Sequence, residues 1–210
     1  MSLASEAEPV VAPQADGYGK LIITAIAVAI GLRVFVVQAV KIPSSSMLPT
    51  LAVGDHVLIN KLRYGVPSPW GRGWLLLYGL AQPGDVIVFA NPLDRSQDYI
   101  KRVVAVGGEV VEIRNKRLLI NGAARDGVYA YFADGTDHVV AAPPRDNYGP
   151  TVVPPRTLFV LGDNRDQSID SRYWGVVDFA DVKGRAEILY WSWDGRDRWV
   201  RWQPISHDIE

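Results

Sequence analysis

Three separate segments of the chain combine side chains that could do chemistry. The first, IPSSSMLPTL at 42–51, holds three serines between two prolines. The second is DYIKR at 98–102, and the third is GDNRDQSIDSRYWG at 162–175. A serine hydroxyl becomes a nucleophile when a neighbouring base takes its proton, and a lysine can be that base once burial has lowered its pKa. The first two segments could therefore supply a nucleophile and a general base.

Each segment also has a purely structural interpretation. Serine-rich loops are often simple turns, and a single lysine in a strand is commonly an edge residue whose amine reaches the surface. Acidic and basic residues are interspersed in 162–175, which is typical of a solvated loop. However, three acids, two arginines and two serines within ten residues can also form a hydrogen-bonded network that positions catalytic side chains.

The lysine of the second segment is predicted to lie on a strand. Because alternate side chains share a face of a strand, Lys101 would lie on one face with Tyr99 and Val103. Apolar neighbours on that face would remove water from the amine, which disfavours its charged form. We therefore expect the pKa of Lys101 to lie below that of a free lysine.

Composition excludes several kinds of site. The chain has no cysteine, which rules out disulfides, thiol catalysis and thiolate metal sites. Its three histidines, His56, His138 and His207, are too far apart in sequence to form a ligand-spaced cluster. A formal net charge of −1 gives no indication of a nucleic-acid surface. We therefore expect no metal, no cofactor and no nucleic-acid partner.

The amino-terminal part of the chain is predicted to be a membrane anchor. Residues 21–40 are apolar except for Arg33 and Gln38, and twenty helical residues reach ~30 Å, about the thickness of a bilayer core. We expect a flexible tail at 1–19 and a transmembrane helix at 20–40. The alternative is a cleavable signal peptide, because 37–39 (VQA) resembles a small-residue cleavage site. The positive charges on the two sides do not settle the orientation.

The remainder predicts a mainly β fold. Short runs rich in Val, Ile, Leu and aromatic residues alternate with turn residues, and Asn121-Gly122 is a strong hairpin signal. We expect an antiparallel sheet with an inserted smaller region of strands and loops. The predicted boundaries are a catalytic β core at 41–107 and 158–203, an inserted subdomain at 108–157, and a C-terminal tail at 204–210.

Besides the amino-terminal segment, a second apolar stretch lies at 70–78. Trp70, Trp74 and Tyr78 flank three leucines in a Gly/Pro-rich stretch. Tryptophan favours the membrane–water interface, so we expect a surface hairpin that dips into lipid. Packing in the protein core is the alternative. Another aromatic group, containing Trp191, Trp193, Trp199 and Trp202, fits either interpretation equally well.

Together, the three segments resemble the signature boxes of bacterial type I signal peptidases (leader peptidases), which are Ser-Lys dyad serine proteases. The resemblance covers roughly 33–105 and 158–193. It implies that Ser46 is the nucleophile and Lys101 its general base. It also implies that the Ser44 hydroxyl and the Ser46 backbone N–H form the oxyanion hole, and that Ser168 orients the lysine amine.

The resemblance assigns further roles less directly. It implies a supporting ion-pair network of Arg102, Asp170 and Arg172, with Asp163 as a further buried acid. It places shallow pockets for small substrate side chains at Val40, Ile42, Leu51, Val57, Val88, Tyr99 and Ile100. Two positions depart from the family pattern: Ser45, where glycine is common, and Gly107, where proline is common. Neither position is part of the dyad.

The implied function is removal of signal peptides from exported pre-proteins, with cleavage after small residues at A-x-A sites. The implied location is the bacterial cytoplasmic membrane, single-pass, with the catalytic domain on the outer side. Expected partners are signal peptides, the lipid bilayer and a nearby secretion translocon. Two alternatives remain open: a specialised peptidase that processes pilin-like or conjugation proteins, and a non-catalytic membrane-tethered β-domain that binds export substrates.

Overall fold

The structure is a computed structural model that describes residues 16–125, 129–135, 144–193 and 207–209. It begins with helix α1 (Asp16–Gly31), continues through a π-helical turn (Leu32–Val36) and enters strand β1 (Val37–Lys41). The apolar side chains of α1 are exposed to between 55% and 69% at Leu21, Ile22, Ile23, Ile26, Val28 and Ile30. Within the described part of the chain, the helices are too short or too polar to cross a membrane.

The helix differs from the predicted 20–40 segment at both ends. It begins at Asp16 and its helical backbone stops at Val36, since residues 37–41 pair with the next strand of the sheet. Valine is β-branched and suits a pleated, half-buried surface better than a helix, and this run is rich in valine. The VQA sequence at 37–39 therefore belongs to a strand. The predicted tail lies outside the described residues except for 16–19, which are helical.

The main sheet has eight strands, all antiparallel, which confirms the mainly β prediction. Its order is β1-β2-β13-β5-β6-β11-β12, and β14 pairs with β13. The strands not yet defined are β2 (Asp55–Asn60), β5 (Val86–Ala90), β6 (Asp98–Val106), β11 (Thr157–Leu161), β12 (Val177–Asp178), β13 (Val182–Ser192) and β14 (His207–Asp208).

The carboxyl terminus contributes to this sheet. The segment 204–210 was predicted to be a tail, but His207–Asp208 pairs with β13 and Ile209 is buried in the core. Burial of Ile209 explains the pairing, because it removes an apolar side chain from water next to the sheet.

A smaller sheet lies within the predicted insertion. Its order is β10-β7-β8-β9, with β7 (Val110–Arg114), β8 (Arg117–Ile120), β9 (Ala123–Ala124) and β10 (Tyr148–Val152). Asn121 and Gly122 form the two-residue turn between β8 and β9, with φ of 53° and 80°. Two positive φ angles are what a tight hairpin turn of this kind requires, so the predicted hairpin is confirmed.

A separate hairpin joins β3 (Gly65–Pro67) and β4 (Trp74–Leu77). Trp74 packs inward against Tyr64 and Phe179. In contrast, the side chains of Trp70, Leu75, Leu76, Leu77, Tyr78 and Leu80 are exposed. The core interpretation therefore holds for Trp74, while most of the hairpin is an apolar surface. Of the second aromatic group, Trp199 and Trp202 lie outside the described residues, and Trp191 and Trp193 are exposed.

The core consists of three apolar clusters. One joins β1, β2, β5 and β13 through residues such as Ile42, Val57 and Val88. A second joins β5, β6 and β11, and a third packs the smaller sheet against the main sheet through Phe159 and Leu161. The first and third clusters border the chain segments that carry the three motifs.

Candidate active site

The serine-rich segment forms a tight loop at the end of β1. Ser45–Met47 is one turn of 3₁₀ helix, and the loop closes with a bond of 2.8 Å from the Leu51 amide to the Met47 carbonyl oxygen. Ile42, Met47 and Leu51 are completely buried in the first apolar cluster. These three side chains anchor the loop at its beginning, middle and end, and therefore fix the position of Ser46 between them.

The lysine of the second segment meets this loop. Lys101 lies in the middle of β6, which pairs with β5, and only 5% of the residue is exposed. Its Nζ donates a hydrogen bond of 2.6 Å to Ser46 Oγ, and Ser46 is itself buried. The structure thus brings together the two residues that the sequence singled out, although 55 positions separate them in the chain.

The surroundings of Lys101 favour the neutral amine. Burial lowers the pKa of Lys101 to about 8, mainly because the ammonium form loses its hydration. The carboxylates of Asp170 and Asp163 act in the opposite direction, and the nearby Arg172 lowers the pKa further. At neutral pH, about a tenth of the molecules therefore carry a neutral Lys101 amine that can accept a proton.

The hydroxyl of Ser44 lies beside the proposed nucleophile. Its Oγ is 3.2 Å from Ser46 Oγ, and either hydroxyl could be the donor. Ser44 is exposed, whereas Ser46 is buried. Ser44 is therefore the more exposed of these two neighbouring hydroxyls.

The third segment holds the serine loop from behind. The Asn164 backbone amide donates a hydrogen bond of 3.1 Å to the Ser46 carbonyl oxygen. The Asn164 side-chain Nδ2 donates a second one, of 3.2 Å, to the Ser45 carbonyl oxygen. Gly162 lies close to the same loop, since a Cβ added there would come within 2.5 Å of the Ser46 carbonyl oxygen. Neither Asn164 nor Gly162 was among the predicted site residues, although both belong to the third motif.

Ser168 does not make the hydrogen bond that was predicted for it. Its Oγ is buried, yet it has no hydrogen-bond partner in the structure. The Lys101 amine is directed at Ser46 instead. Ser171, the other serine of this segment, has a structural partner, because its Oγ accepts 2.9 Å from the Val160 amide.

The predicted ion-pair network is in fact two separate pairs. Arg102 binds Asp163 at two points, with Nε 2.9 Å from Oδ1 and Nη2 2.8 Å from Oδ2. Arg172 binds Asp170, with Nε 2.8 Å from Oδ1 and Nη2 2.8 Å from Oδ2. All four side chains are at most 3% exposed. Arg102 therefore pairs with Asp163, which was predicted only as a further buried acid outside the network, because Asp163 is the carboxylate that faces β6.

Asp170 and Arg172 have local tasks as well. Asp170 caps the short helix α2 (Ser171–Trp174) by accepting from the Arg172 amide, and it accepts 3.0 Å from the Gly162 amide. Arg172 donates to the carbonyl oxygens of Arg145 and Arg165. This pair therefore holds the third segment in its folded shape.

Two further contacts were not foreseen. Thr50 Oγ1 donates 2.6 Å to Asp163 Oδ2, which connects the serine loop to the Arg102–Asp163 pair. The ring of Tyr129, in the inserted region, stacks on the Arg102 guanidinium at 3.8 Å. Thr50 is visible in the first motif as a polar residue after a proline. Nothing local marks Tyr129, since its partner lies on a distant strand.

Six of the seven predicted pocket residues lie together. Ile42, Leu51, Val57, Val88 and Ile100 are buried members of the first apolar cluster, and Val40 packs against it half-buried. Tyr99 is the exception, because its ring packs against the second cluster and meets Phe89 edge-on. The predicted pocket is therefore largely closed core in this structure, with Val40 at its exposed side.

The comparisons with known proteins point in one direction. A family model described as signal peptidase, peptidase S26, matches residues 16–191. A probable signal peptidase I-2 from Synechocystis sp. is 38% identical over 173 residues, which are 82% of this chain and 72% of the relative. A signal peptidase I from Leptolyngbya laminosa is 36% identical over 172 residues, covering 82% of this chain and 77% of that protein.

A solved structure is also similar. The crystal structure of a signal peptidase I from Enterococcus faecalis V583 matches 50% of this chain and 96% of its own, at 34% identity and a TM-score of 0.42. The region covered by the family match contains all three motifs, at 42–51, 98–102 and 162–175.

Proposed function

The chain belongs to the signal peptidase family, peptidase S26, and from this membership we propose that it removes signal peptides from exported pre-proteins as a Ser-Lys endopeptidase. The observation that carries the mechanism is the 2.6 Å hydrogen bond between Lys101 Nζ and Ser46 Oγ in a buried site. A nucleophile within reach of a base with a lowered pKa is the arrangement that acyl transfer requires.

In the proposed acylation step, the neutral Lys101 amine takes the proton of Ser46, and Ser46 Oγ attacks the scissile carbonyl carbon. The Ser46 backbone N–H and the Ser44 hydroxyl stabilise the oxyanion that forms. Support for the role of Ser44 comes from its Oγ, 3.2 Å from the nucleophile. The tetrahedral intermediate then breaks its C–N bond, and Lys101 gives its proton to the leaving amine.

Hydrolysis of the acyl-enzyme uses the same base. Lys101 takes a proton from water, whose oxygen attacks the ester carbon, and returns a proton to Ser46 Oγ as the ester bond breaks. The signal peptide then leaves with a free carboxylate. Ser168 is proposed to position the amine during these transfers. Its buried hydroxyl has no other hydrogen-bond partner in the structure, so it is available for that contact.

The substrate is proposed to bind as an extended strand beside the dyad. β5 pairs with β6 down to Asp98, whereas the register with β11 ends at Arg102. Among the described residues, 98–101 therefore have no strand partner on the side of β11, and Lys101 of this stretch contacts Ser46. An extended peptide can add to such an edge by main-chain hydrogen bonds. The tight packing around Ile42, Leu51 and Ile100 favours small substrate side chains, as in A-x-A sites.

The chain is proposed to be anchored to the cytoplasmic membrane by α1, with the β domain on the outer side near the secretion translocon. Support comes from the exposed apolar side chains around α1 and from the exposed leucines of the β3–β4 hairpin. Protease added to intact spheroplasts should then digest the region after residue 41. Complete protection of that region would contradict the proposed orientation.

A cleavage assay tests the proposed activity. The full chain in detergent should cut a synthetic peptide with an A-x-A site. Ser46→Ala and Lys101→Met should each lower kcat/KM by about 10⁴-fold or more, as expected for loss of a nucleophile or its base. Ser45→Ala is the matched control, since the described hydrogen bonds to Ser46 Oγ come from Ser44 and Lys101 and not from the Ser45 hydroxyl, and it should cut at close to the wild-type rate. Wild-type rates in either dyad variant would refute the assignment.

A further inference from the structure

A cavity of about 300 Å³ is lined by three arginines, one of which, Arg102, directly follows Lys101 in β6. Its walls are the turn at Pro83 and Gly84, the middle of β6, and Leu118 and Ile120 of β8. Arg102, Arg125 and Arg165 contribute the positive charges, while Ser46 and Lys101 do not line this cavity. Its volume is at the lower end of the range of small-ligand sites.

Arg165 is the unusual member of this set. It is only 6% exposed, and its Nε is buried without a hydrogen-bond partner in the structure. The two carboxylates that act on its charge, Asp163 and Asp170, are each engaged at two points, Asp163 by Arg102 and Asp170 by Arg172. Among these five side chains, three cations therefore face two anions, and the charge of Arg165 is the one without a counter-ion.

Such a charge is unfavourable unless something binds it. A buried ion without a partner loses hydration and gains nothing in return. Burial, followed by the repulsion of Arg172, lowers the pKa of Arg165 to about 10. The guanidinium remains charged at neutral pH, so an anion that enters the cavity would supply the missing counter-charge.

We infer that this cavity binds a phosphate group, with Arg165 as the buried ligand and Arg125 as the ligand at the exposed end. The planar guanidinium donates two parallel hydrogen bonds and suits a tetrahedral oxyanion. The charge count agrees with an anionic ligand. Asp163 neutralises Arg102, and Glu109, which also lines the cavity, accepts a bond from the Val106 amide and offsets one further charge. One positive charge is left over.

The binding test uses the full chain in detergent and inorganic phosphate, with sodium chloride keeping the ionic strength constant. Calorimetric titration should show saturable binding, and phosphate should raise the Tm, because a ligand that binds only the folded state stabilises it. Arg125→Gln should weaken the affinity at least about tenfold. Arg165→Gln should abolish binding. If Arg165→Gln does not fold, Arg125→Gln still decides the question.

The control variant is Arg117→Gln. Arg117 is exposed and lies on β8, but its side chain belongs to the face opposite to Leu118 and Ile120, which line the cavity. This variant should bind phosphate like the wild type. If Arg117→Gln and Arg125→Gln weaken binding equally, the effect is general surface charge and the proposed site is wrong.

A second probe identifies the source of the phosphate group. Dihexanoylphosphatidylglycerol, used below its critical micelle concentration, presents a lipid phosphodiester in soluble form. Arg125-dependent binding of inorganic phosphate alone assigns the site to a small soluble anion, and Arg125-dependent binding of the lipid assigns it to a headgroup. If neither probe binds in an Arg125-dependent manner, the inference is overturned.

Discussion

Arg102 and Asp163 form a buried two-point ion pair that joins the strand of the proposed base to the segment behind the nucleophile. Arg102 directly follows Lys101 in β6, and Asp163 directly precedes Asn164, whose amide binds the Ser46 carbonyl oxygen. The pair therefore restrains the distance between Lys101 and Ser46 without touching either side chain. Tyr129 stacks on the outer face of its guanidinium.

Removing one partner of this pair should destabilise the fold strongly. Arg102→Met leaves the Asp163 carboxylate buried and unpaired, and Asp163→Asn does the same to the guanidinium. Each change should lower the free energy of unfolding by about 3–5 kcal/mol. Urea denaturation of the detergent-solubilised chain measures this.

The matched control for that experiment is an exposed pair of the same chemistry. Arg114 binds Glu112 at 2.7 Å, but its side chain is 66% exposed. Arg114→Met should therefore lower the free energy of unfolding by less than about 1 kcal/mol. Equal losses in Arg102→Met and Arg114→Met would mean that the buried pair contributes no more than a surface contact.

The rate of cleavage should rise with pH through the titration of Lys101. The active form is the neutral amine, and burial sets its pKa at about 8. Well below that pH, kcat/KM should fall about tenfold for each pH unit, because the fraction of neutral amine falls by that factor. A pH–rate profile on one peptide substrate measures this limb. An acidic limb centred near pH 4–5 would instead point to a carboxylate base.

The same lysine should also make stability depend on pH. In the folded chain its pKa is lowered from 10.5 to about 8, so between these values the unfolded chain binds a proton that the folded chain does not. Stability of the wild type should therefore increase with pH across that window, and the full cost of the buried ammonium is present below about pH 8.

Lys101→Met removes that cost. It should stabilise the chain by up to about 3 kcal/mol at pH 7, with the gain shrinking toward pH 10, since each pKa unit corresponds to about 1.4 kcal/mol. Urea denaturation at the two pH values gives the comparison, and Lys183→Met is the control at a half-exposed lysine. A gain that does not change with pH would show that burial of the charge is not its cause.

The sequence contains the dyad but not the contacts that hold it. Lys101 could be singled out from its predicted place on a strand, and Ser46 was assigned among the three serines of its motif through the resemblance to the family. The Arg102–Asp163 pair joins residues 61 positions apart, and only the folded sheet decides which carboxylate faces β6. For the same reason, Tyr129 could not be predicted from the inserted region.

Element boundaries show a similar limit. The run 21–40 is apolar except for Arg33 and Gln38, so hydropathy alone does not separate the helix from strand β1 that follows it. At the other end, β14 has only two residues, His207–Asp208, which is too short for any periodic pattern. Asn121-Gly122 was predictable because its turn geometry depends on the two residues themselves.

The two serines of the third segment should respond differently to substitution. Ser168→Ala removes a hydroxyl that has no hydrogen-bond partner, so stability should stay within about 0.5 kcal/mol. If Ser168 positions the Lys101 amine during catalysis, kcat should fall about 10²-fold and the acidic limb of the pH profile should move. An unchanged kcat and pH profile would exclude that role.

Ser171→Ala provides the contrast. It leaves the buried Val160 amide without its acceptor, so it should cost about 1–3 kcal/mol of stability while the pH profile keeps its position. Denaturation and the pH–rate profile are measured on the same samples. If Ser171→Ala loses activity and Ser168→Ala does not, the orienting role belongs to Ser171 and not to Ser168.

Gly162 should tolerate no side chain, because it lies where the nucleophile loop and the third segment touch. A Cβ at this position would come within 2.5 Å of both the Ser46 carbonyl oxygen and Ser168 Cβ, well inside the normal contact distance. Gly162→Ala must therefore displace Ser46, Ser168 or both. Displacements of about 1 Å at a catalytic group can cost 10²-fold in rate, and overpacking costs about 1–3 kcal/mol of stability.

The control is Gly79→Ala, whose Cβ would make ordinary contacts of 3.6 Å or more. Cleavage rate and urea denaturation of both variants decide the matter: a Gly162→Ala enzyme with wild-type kcat/KM would mean that the third segment does not set the position of Ser46.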